Sequence, residues 1–184
     1  MAYNETGKNE QALKDYDAAL ALNPQYAEAY FNRGNVYSDL GQHARALKDY
    51  DEAVRLDSNH SGAMFNRSLA SMFLRRTEMA ADARAYVKLK GWKDDRVQYM
   101  VIFGAFGERW AQRETEARQL LDEAAANCNT SSWPYPIIRY LRRDLSMDDL
   151  LAAATDPDKK TEARAYLGLD LVLAGKQDEA LTHL

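Results

Sequence analysis

The sequence is poor in the residues from which catalytic and metal sites are most often built. It has one cysteine, Cys128, and three histidines that are far apart along the chain. A single cysteine excludes an internal disulfide, and no histidine stands at a metal-ligand spacing from a cysteine or carboxylate. We therefore expect no cofactor, no metal and no enzymatic activity. Cys128 has no evident base partner and is expected to be an inert loop thiol, whereas His43 and His60 are expected to be solvated in turns.

Long apolar runs and a strong excess of one charge are also missing. No stretch approaches the roughly eighteen apolar residues that a membrane-spanning helix needs. The first residues, MAYNETGK, lack the apolar segment of a signal peptide. The chain has 24 Lys and Arg against 28 Asp and Glu, which gives a formal net charge of −4. This weak acidity argues against a nucleic-acid-binding protein, and the sequence leaves the compartment open.

What the sequence does contain is a repeat. Residues 12–23 (ALKDYDAALALN) and residues 46–57 (ALKDYDEAVRLD) are identical at eight of twelve positions and lie 34 residues apart. A fixed offset of that size between two helical segments indicates an array of repeated helix pairs. In such an array each unit packs only on its neighbours, so there is no single central core.

One complete unit, residues 27–60, shows the pattern most clearly. Small residues, which allow two helix backbones to approach closely, alternate in it with aromatic residues that fill the space around them. Counted from the first residue of the unit, they occupy positions 4, 8, 11, 20, 24 and 27: Tyr30, Gly34, Tyr37, Ala46, Tyr50 and Ala53. This spacing resembles the tetratricopeptide repeat, although Arg33 stands where that repeat usually has leucine and Ser58 where it usually has proline. The resemblance implies an all-α fold, a right-handed α-solenoid of antiparallel helix-turn-helix units.

The repeat register divides the chain into six units of one solenoid. They are a partial repeat (1–26), a full repeat (27–60), two degenerate repeats (61–97 and 98–131), a short helix pair (132–160) and a second partial repeat (161–184). Gly7, Gly41 and Gly175 are expected at the turns between the two helices of their units. In the third unit Arg84 falls at the position of the aromatic residue and interrupts the pattern. Because the first and last units begin and stop within helices, we expect the chain to be a fragment.

The C-terminal third has a characteristic order of features: a tryptophan, a short helix pair and a returning repeat. Ser146 and Asp149 form a capping-box-like start for the second helix of that pair. The residues that carry the order are Trp133, Ile137, Tyr140, Leu141, Leu150, Leu151, Tyr166, Leu167 and Gly168. This segment resembles the NlpI-type bacterial lipoproteins. The resemblance implies an envelope adaptor that binds proteases or cell-wall enzymes; without it, the bacterial cytoplasm is the alternative compartment.

The concave face of such a solenoid is the expected binding site. The tetratricopeptide resemblance implies that first-helix residues line it, among them Asn32, Asn35 and Asn66. An asparagine side chain both donates and accepts hydrogen bonds, as is needed to hold an extended peptide backbone. Asn32 and Asn66 occupy the same position one repeat apart and resemble the asparagine ladder of peptide-binding tetratricopeptide proteins. The alternative is that these side chains are exposed and bind no ligand.

Apolar side chains are candidates to extend this site. On the first helices of the second and third units they are Phe31, Phe65, Leu69, Met72 and Phe73. The first helix of the fourth unit adds an aromatic stripe at i, i+4, i+7 and i+11, formed by Tyr99, Phe103, Phe106 and Trp110. Aromatic and methionine side chains are enriched where binding energy concentrates. We expect one half of the stripe to face the groove and the other half a neighbouring helix; the alternative for each residue is core packing.

We therefore predict a protein-interaction scaffold or adaptor that holds a peptide or helix of another protein in its concave groove. One alternative is the regulatory arm of a larger enzyme whose catalytic domain lies outside this fragment. Another is a structural array that self-associates as a homo-oligomer through the repeat faces at its ends. The basic run Arg139, Arg142 and Arg143 is expected to be a solvated helix face.

Overall fold

The chain folds into α-helices. Its structure, a computed structural model, describes the backbone of residues 2–183 and the side chains of residues 7–183, and that part contains no β-strand. In chain order the helices are α1 (Ala2–Leu22), α2 (Ala27–Asp39), α3 (His43–Leu56), α4 (Ser61–Phe73), α5 (Met79–Lys90), α6 (Val97–Trp110), α7 (Glu114–Asn127), α8 (Tyr135–Leu141), α9 (Met147–Ala153), α10 (Pro157–Leu173) and α11 (Gln177–Ala180).

From α2 onward the helices alternate between first and second members of helix pairs. Each helix packs against the next one in the chain. The first helices of successive pairs also contact one another, α2 on α4, α4 on α6, α6 on α8 and α8 on α10. Contacts between successive pairs of this kind are those of a solenoid. The predicted all-α solenoid of helix pairs is therefore confirmed.

The first helix of each pair ends in the same kind of turn. The second residue after the last helical one has a positive φ, and its N–H donates to the carbonyl three residues earlier. The following N–H donates to the carbonyl five residues earlier. This is the Schellman arrangement, which satisfies carbonyls left over at a helix end. The positive-φ residues are Gly41 (70°), Arg75 (52°), Gln112 (60°), Arg143 (70°) and Gly175 (75°).

These turns give the repeat spacing directly. Successive positive-φ residues are 34, 37, 31 and 32 residues apart, so the 34-residue interval holds only between the second and third units. The predicted turns at Gly41 and Gly175 are confirmed. The predicted turn at Gly7 is wrong, because α1 runs without a break from Ala2 to Leu22.

A close contact at Gly34 fixes the pairing of α2 with α3. A Cβ atom at position 34 would lie 2.7 Å from Cε1 of Tyr50 and 3.3 Å from Cβ of Asp49. Ala46 and Ala53 are fully buried beside these residues. The small and aromatic residues of this repeat therefore do what their spacing predicted: they let two backbones approach and fill the space around the contact.

Two arginines link consecutive helix pairs in the same way. Arg33 on α2 donates to Asp49 on α3 from Nε (2.8 Å) and Nη2 (2.7 Å). Its Nη1 donates to Asp17 on α1 at 2.7 Å. Arg67 on α4 repeats this arrangement one pair later, with Asp82 on α5 and Asp51 on α3 as its partners. The guanidinium groups thus compensate carboxylates that are buried between helices.

The third unit departs from the predicted register. Arg84, predicted at the aromatic position, is exposed and donates to Glu108 at 3.1 Å. Ala83 and Tyr86 are buried in its place. The reason is a shift of one residue along α5: the arginine of α4 meets its buried aspartate, Asp82, 15 residues later, whereas the arginine of α2 meets its own 16 residues later.

The largest core in the described residues surrounds α6. Every residue from 97 to 108 except Tyr99 is buried there. The following helices α8 and α9 have only seven residues each, and the longer α10 therefore comes close enough for its side chains to contact α6. At the start of α9, Ser146 Oγ accepts the N–H of Asp149 at 3.1 Å, so the predicted cap is confirmed. Among the described helices, none is long and apolar enough to span a membrane.

Candidate functional site

The three candidate asparagines lie on the adjacent first helices α2 and α4, where two of them bind each other. Asn35 Oδ1 accepts from Nδ2 of Asn66 at 2.7 Å and from the hydroxyl of Tyr50 at 2.9 Å. Burial raises the pKa of Tyr50 to about 12, so this hydroxyl stays a donor at any physiological pH. Asn32 makes only a long contact, 3.5 Å from its Nδ2 to Glu28.

This network decides which hydrogen-bonding groups are available to a ligand. The carbonyl oxygen of Asn35 already accepts two hydrogen bonds, which uses both of its lone pairs. The Nδ2 group of Asn35 and the carbonyl oxygen of Asn66 have no side-chain hydrogen bond among the described residues. With Asn32, whose amide is nearly unengaged, the surface offers donors on α2 and an acceptor on α4. Donors and acceptors in alternation are what an extended peptide backbone requires.

Phe31 and His60 form one end of this surface. The two rings are in contact, with centroids 4.6 Å apart. His60 Nδ1 accepts the N–H of Ala63 at 3.1 Å and so caps α4, while its Nε2 lies 3.1 Å from Glu28. The expectation that His60 is solvated is therefore wrong. Histidine is an uncommon helix cap, and its packing on Phe31 comes from a residue 29 positions earlier, which is why the local sequence did not indicate it.

The apolar candidates on α4 differ in exposure. Phe65 and Leu69 are half-buried, Met72 is 9% exposed and Phe73 is 62% exposed. The ring of Phe65 packs on Tyr99 and on Phe103, with centroid distances of 6.5 and 5.8 Å. Phe65 and Leu69 are thus the members of this set that combine a fixed position with an accessible face.

The aromatic stripe of α6 lies under the chain's own helix α10. Phe103 and Phe106 are 2% and 0% exposed, and Tyr166 of α10 stacks on Phe106 with a centroid distance of 6.0 Å. Tyr99 and Trp110 are half-buried. A ligand in the groove therefore cannot reach Phe103 or Phe106, since helices of this protein already cover them.

A half-buried carboxylate, Glu162, lies where α10 meets α6. Glu162 Oε2 accepts from Trp133 Nε1 at 2.8 Å and from the hydroxyl of Tyr99 at 3.4 Å. Its other oxygen, Oε1, is buried and has no hydrogen-bond partner among the described residues. Burial raises the pKa of Glu162 above its usual value, and the hydrogen bonds from Trp133 and Tyr99 only partly offset this.

The basic run at the end of α8 takes part in ion pairs. Arg139 and Arg143 are exposed, as expected for a solvated face, whereas Arg142 is half-buried. Arg143 donates to both oxygens of Asp170, at 2.6 and 3.1 Å, and Arg109 donates to the same buried carboxylate at 2.7 Å. Arg142 binds Asp122 at 2.8 Å. These carboxylates are at least 20 residues away in sequence, so the local charge pattern could not reveal them.

The cysteine and histidine side chains that could serve catalysis or metal binding are packed against other residues. No group of three or more potential metal ligands occurs in the part of the chain that the structure describes. Cys128 is buried, and burial raises its pKa to about 11, so very little thiolate forms near neutral pH. His43, expected to be solvated, begins α3 and stacks on Phe73 with a centroid distance of 4.3 Å.

Comparisons with known proteins agree with this fold. Two family models match, one described as "TPR repeat" over residues 2–41 and one as "Tetratricopeptide repeat" over residues 27–60. The human protein "Tetratricopeptide repeat protein 6" is 55% identical over 31 residues, which are 17% of this chain and 6% of that protein. The chain thus spans a small part of the curated relative it matches.

Two solved structures have the same overall fold. The crystal structure of MamA protein matches with a TM-score of 0.58 and 14% identity, covering 98% of this chain and 81% of MamA. A tetratricopeptide repeat protein from Parabacteroides merdae matches with a TM-score of 0.59 and 17% identity, and the match covers 98% of this chain and 71% of that protein's chain. At these identities the likeness concerns the fold alone. The resemblance of the C-terminal third to NlpI-type lipoproteins stays a prediction.

Proposed function

We propose that this chain, whose residues 2–60 form tetratricopeptide repeats, holds a short extended peptide of another protein in the groove between α2 and α4. Tetratricopeptide arrays are protein-interaction scaffolds, and the finer statement rests on one observation. The hydrogen bond from Asn66 to Asn35 leaves donors on α2 and an acceptor on α4 for a ligand. Such a surface recognises the peptide backbone rather than particular side chains.

The groove has room for a short segment only. First helices of neighbouring pairs lie about 8–10 Å apart, and an extended chain advances about 3.3 Å per residue. About three ligand residues therefore separate a contact on α2 from one on α4. Beyond α4 the groove is closed by α10, which packs on α6 through Tyr166 and Glu162. Phe31 and Leu69 supply apolar surface for ligand side chains at the open part.

The test is affinity for peptides selected from a library of short random sequences displayed on phage. We expect the double variant Asn32→Ala with Asn66→Ala to lose about 1–3 kcal/mol of binding free energy for the selected peptides, because each substitution removes hydrogen bonds to the partly desolvated backbone of the peptide. Asn32→Ala alone should leave the free energy of unfolding nearly unchanged, whereas Asn66→Ala should lower it by about 1 kcal/mol through the lost bond to Asn35.

The control is Asn127→Ala, which removes an exposed asparagine on α7 whose amide donates to the carbonyl of Glu123 and to no other group among the described residues. Fluorescence polarisation with each selected peptide compares the variants. If the double variant binds as tightly as Asn127→Ala, the asparagines do not form the site. If only one peptide sequence is selected and its side chains dominate, backbone recognition is excluded.

A further inference from the structure

We infer that a second docking surface lies at the edge of the array, at the turns that end α2 and α4, and that it takes an acidic peptide segment with an aromatic or aliphatic side chain. The surface, here called the turn edge, consists of His43, Arg45, Phe73, Leu74, Arg75 and Arg76. It is separate from the asparagines of the groove and does not depend on them.

The turn edge exposes apolar side chains that are neighbours in sequence. Phe73 is 62% exposed and Leu74 is 36% exposed. His43 stacks on Phe73 with its ring almost parallel, at an interplanar angle of 6°, which holds the phenylalanine ring in place. A shallow, open depression lies beside them, lined by the residues of the α2–α3 turn and by Leu74. A fixed apolar surface beside such a depression can pack against one large side chain of a partner.

The same edge carries positive charge that the protein does not neutralise. Arg45, Arg75 and Arg76 take part in no ion pair within the described residues. Of the nearby carboxylates, Asp49 is paired with Arg33, and Asp51 and Asp82, which border Arg76, are paired with Arg67. Asp39 and Glu78 remain against the three arginines, so positive charge is in excess at this edge of a chain whose net charge is −4. A guanidinium group forms paired hydrogen bonds with a carboxylate, so the matching ligand is acidic.

The turn at Arg75 places an arginine where other turns of this chain have glycine. Arg75 has a φ of 52°, a conformation that is strained for residues with a side chain, and glycine holds the same turn position at Gly41 and Gly175. At Arg143, a third such position, the side chain binds the buried Asp170. The side chain of Arg75 has no hydrogen bond or ion pair among the described residues that would offset the strain. Strain alone assigns no role, because Gln112 has a φ of 60° and likewise no side-chain hydrogen bond among the described residues; what Arg75 adds to the turn edge is a charge that no described group binds.

The inference is tested with the full chain and a fluorescein-labelled synthetic peptide, EDFEDLED, by fluorescence polarisation. A control peptide replaces its phenylalanine and leucine with serine. We expect the first peptide to bind at least tenfold more tightly than the control, and the affinity to fall as salt rises, because charges at an exposed surface are screened. If the probe does not bind at about 1 mM, or the serine control binds equally, the inference is wrong.

The variants separate loss of binding from loss of folding. Arg75→Gly relieves backbone strain and should raise the melting temperature while it lowers the affinity for the probe peptide. The double variant Arg75→Gly with Phe73→Ser should bind the probe peptide at least tenfold more weakly than the wild type. Gln112→Gly makes the same backbone change at another turn and should leave binding unchanged. The groove variant Asn32→Ala should bind the probe normally; if it does not, the peptide sits in the groove and the turn edge is not its site.

Light scattering tests whether the turn edge instead binds a second copy of this chain. We expect the wild type and Phe73→Ser to have the same mass over a range of concentrations. If the wild type is a dimer that Phe73→Ser dissociates, the turn edge binds a second copy of this chain, and the acidic-peptide inference is overturned.

Discussion

Replacing Arg33 with leucine should destabilise this protein by about 3 kcal/mol, although leucine is the residue that tetratricopeptide repeats usually have at this position. The Asp49 side chain is only 7% exposed, and Arg33 supplies two of its hydrogen bonds. Without Arg33, the Asp49 carboxylate is left buried with no cation, which costs about 3–5 kcal/mol for a fully buried pair. The lower end applies because Arg33 itself is 20% exposed.

The other partner of Arg33 should matter much less. Asp17 is 59% exposed, and exposed ion pairs contribute between about 0 and 1 kcal/mol. Arg33→Leu combined with Asp49→Ala removes both charges and should lie within about 1 kcal/mol of the wild type, because no unpaired charge is then buried. The double-mutant cycle should therefore give an interaction energy of about 2–3 kcal/mol between Arg33 and Asp49.

Urea unfolding followed by circular dichroism measures these differences, with an unchanged m-value as the sign that the cooperativity of unfolding is preserved. Arg55→Leu is the matched control, since Arg55 and its partner Glu52 are 63% and 42% exposed; we expect it to cost less than about 0.5 kcal/mol. The reasoning is refuted if Arg33→Leu costs no more than this control, or if the double variant is as unstable as the single one.

Two further predictions concern the turns and Glu162. Gly41→Ala should destabilise the protein by about 1 kcal/mol and Gln112→Gly should stabilise it by about 0.5–1 kcal/mol, because both positions have a positive φ. A Cβ at Gly41 would meet no other atom, so the backbone conformation alone causes the effect there. Thermal melts measure both changes, and melting temperatures that shift in the same direction would contradict the prediction. Glu162 has a raised pKa in the folded state, so its contribution to stability is complete below its unfolded value of 4.5 and is lost as pH rises through the folded pKa. Stability of the wild type relative to Glu162→Gln should therefore fall from pH 4 toward neutral, as urea midpoints at several pH values will show, and a constant difference would exclude the raised pKa.

The repeat architecture was predictable from the sequence because its determinants are local. Two segments 34 residues apart carry the same residues, and Gly34 and Tyr50 indicate where two helices approach. The caps are equally local: Ser146 and the glycine at position 41 act on backbone groups within a few residues of themselves. The asparagines of the groove could be placed on α2 and α4 for the same reason, since their positions follow from the helix period.

The later repeats were harder to place because the turn positions that hold glycine in the second unit hold other residues there. Arg75, Gln112 and Arg143 occupy left-handed turn positions that a sequence pattern assigns to glycine. Each of these turns nevertheless has the same two backbone hydrogen bonds. The spacing between turns then varies, and a fixed 34-residue register places Arg84 in the core when it lies at the surface.

The sequence by itself determined the fold class, the helix pairs of the second and third units and the helices that carry the asparagines, since these depend on periodicity and on neighbours in the chain. The tertiary structure alone decided the extent of the groove and the role of most charged residues. Helix α10 covers the aromatic stripe of α6, and Asp170 binds arginines 27 and 61 residues away. Such contacts depend on how the shortened pair α8 and α9 redirects the chain, and no local pattern encodes that path.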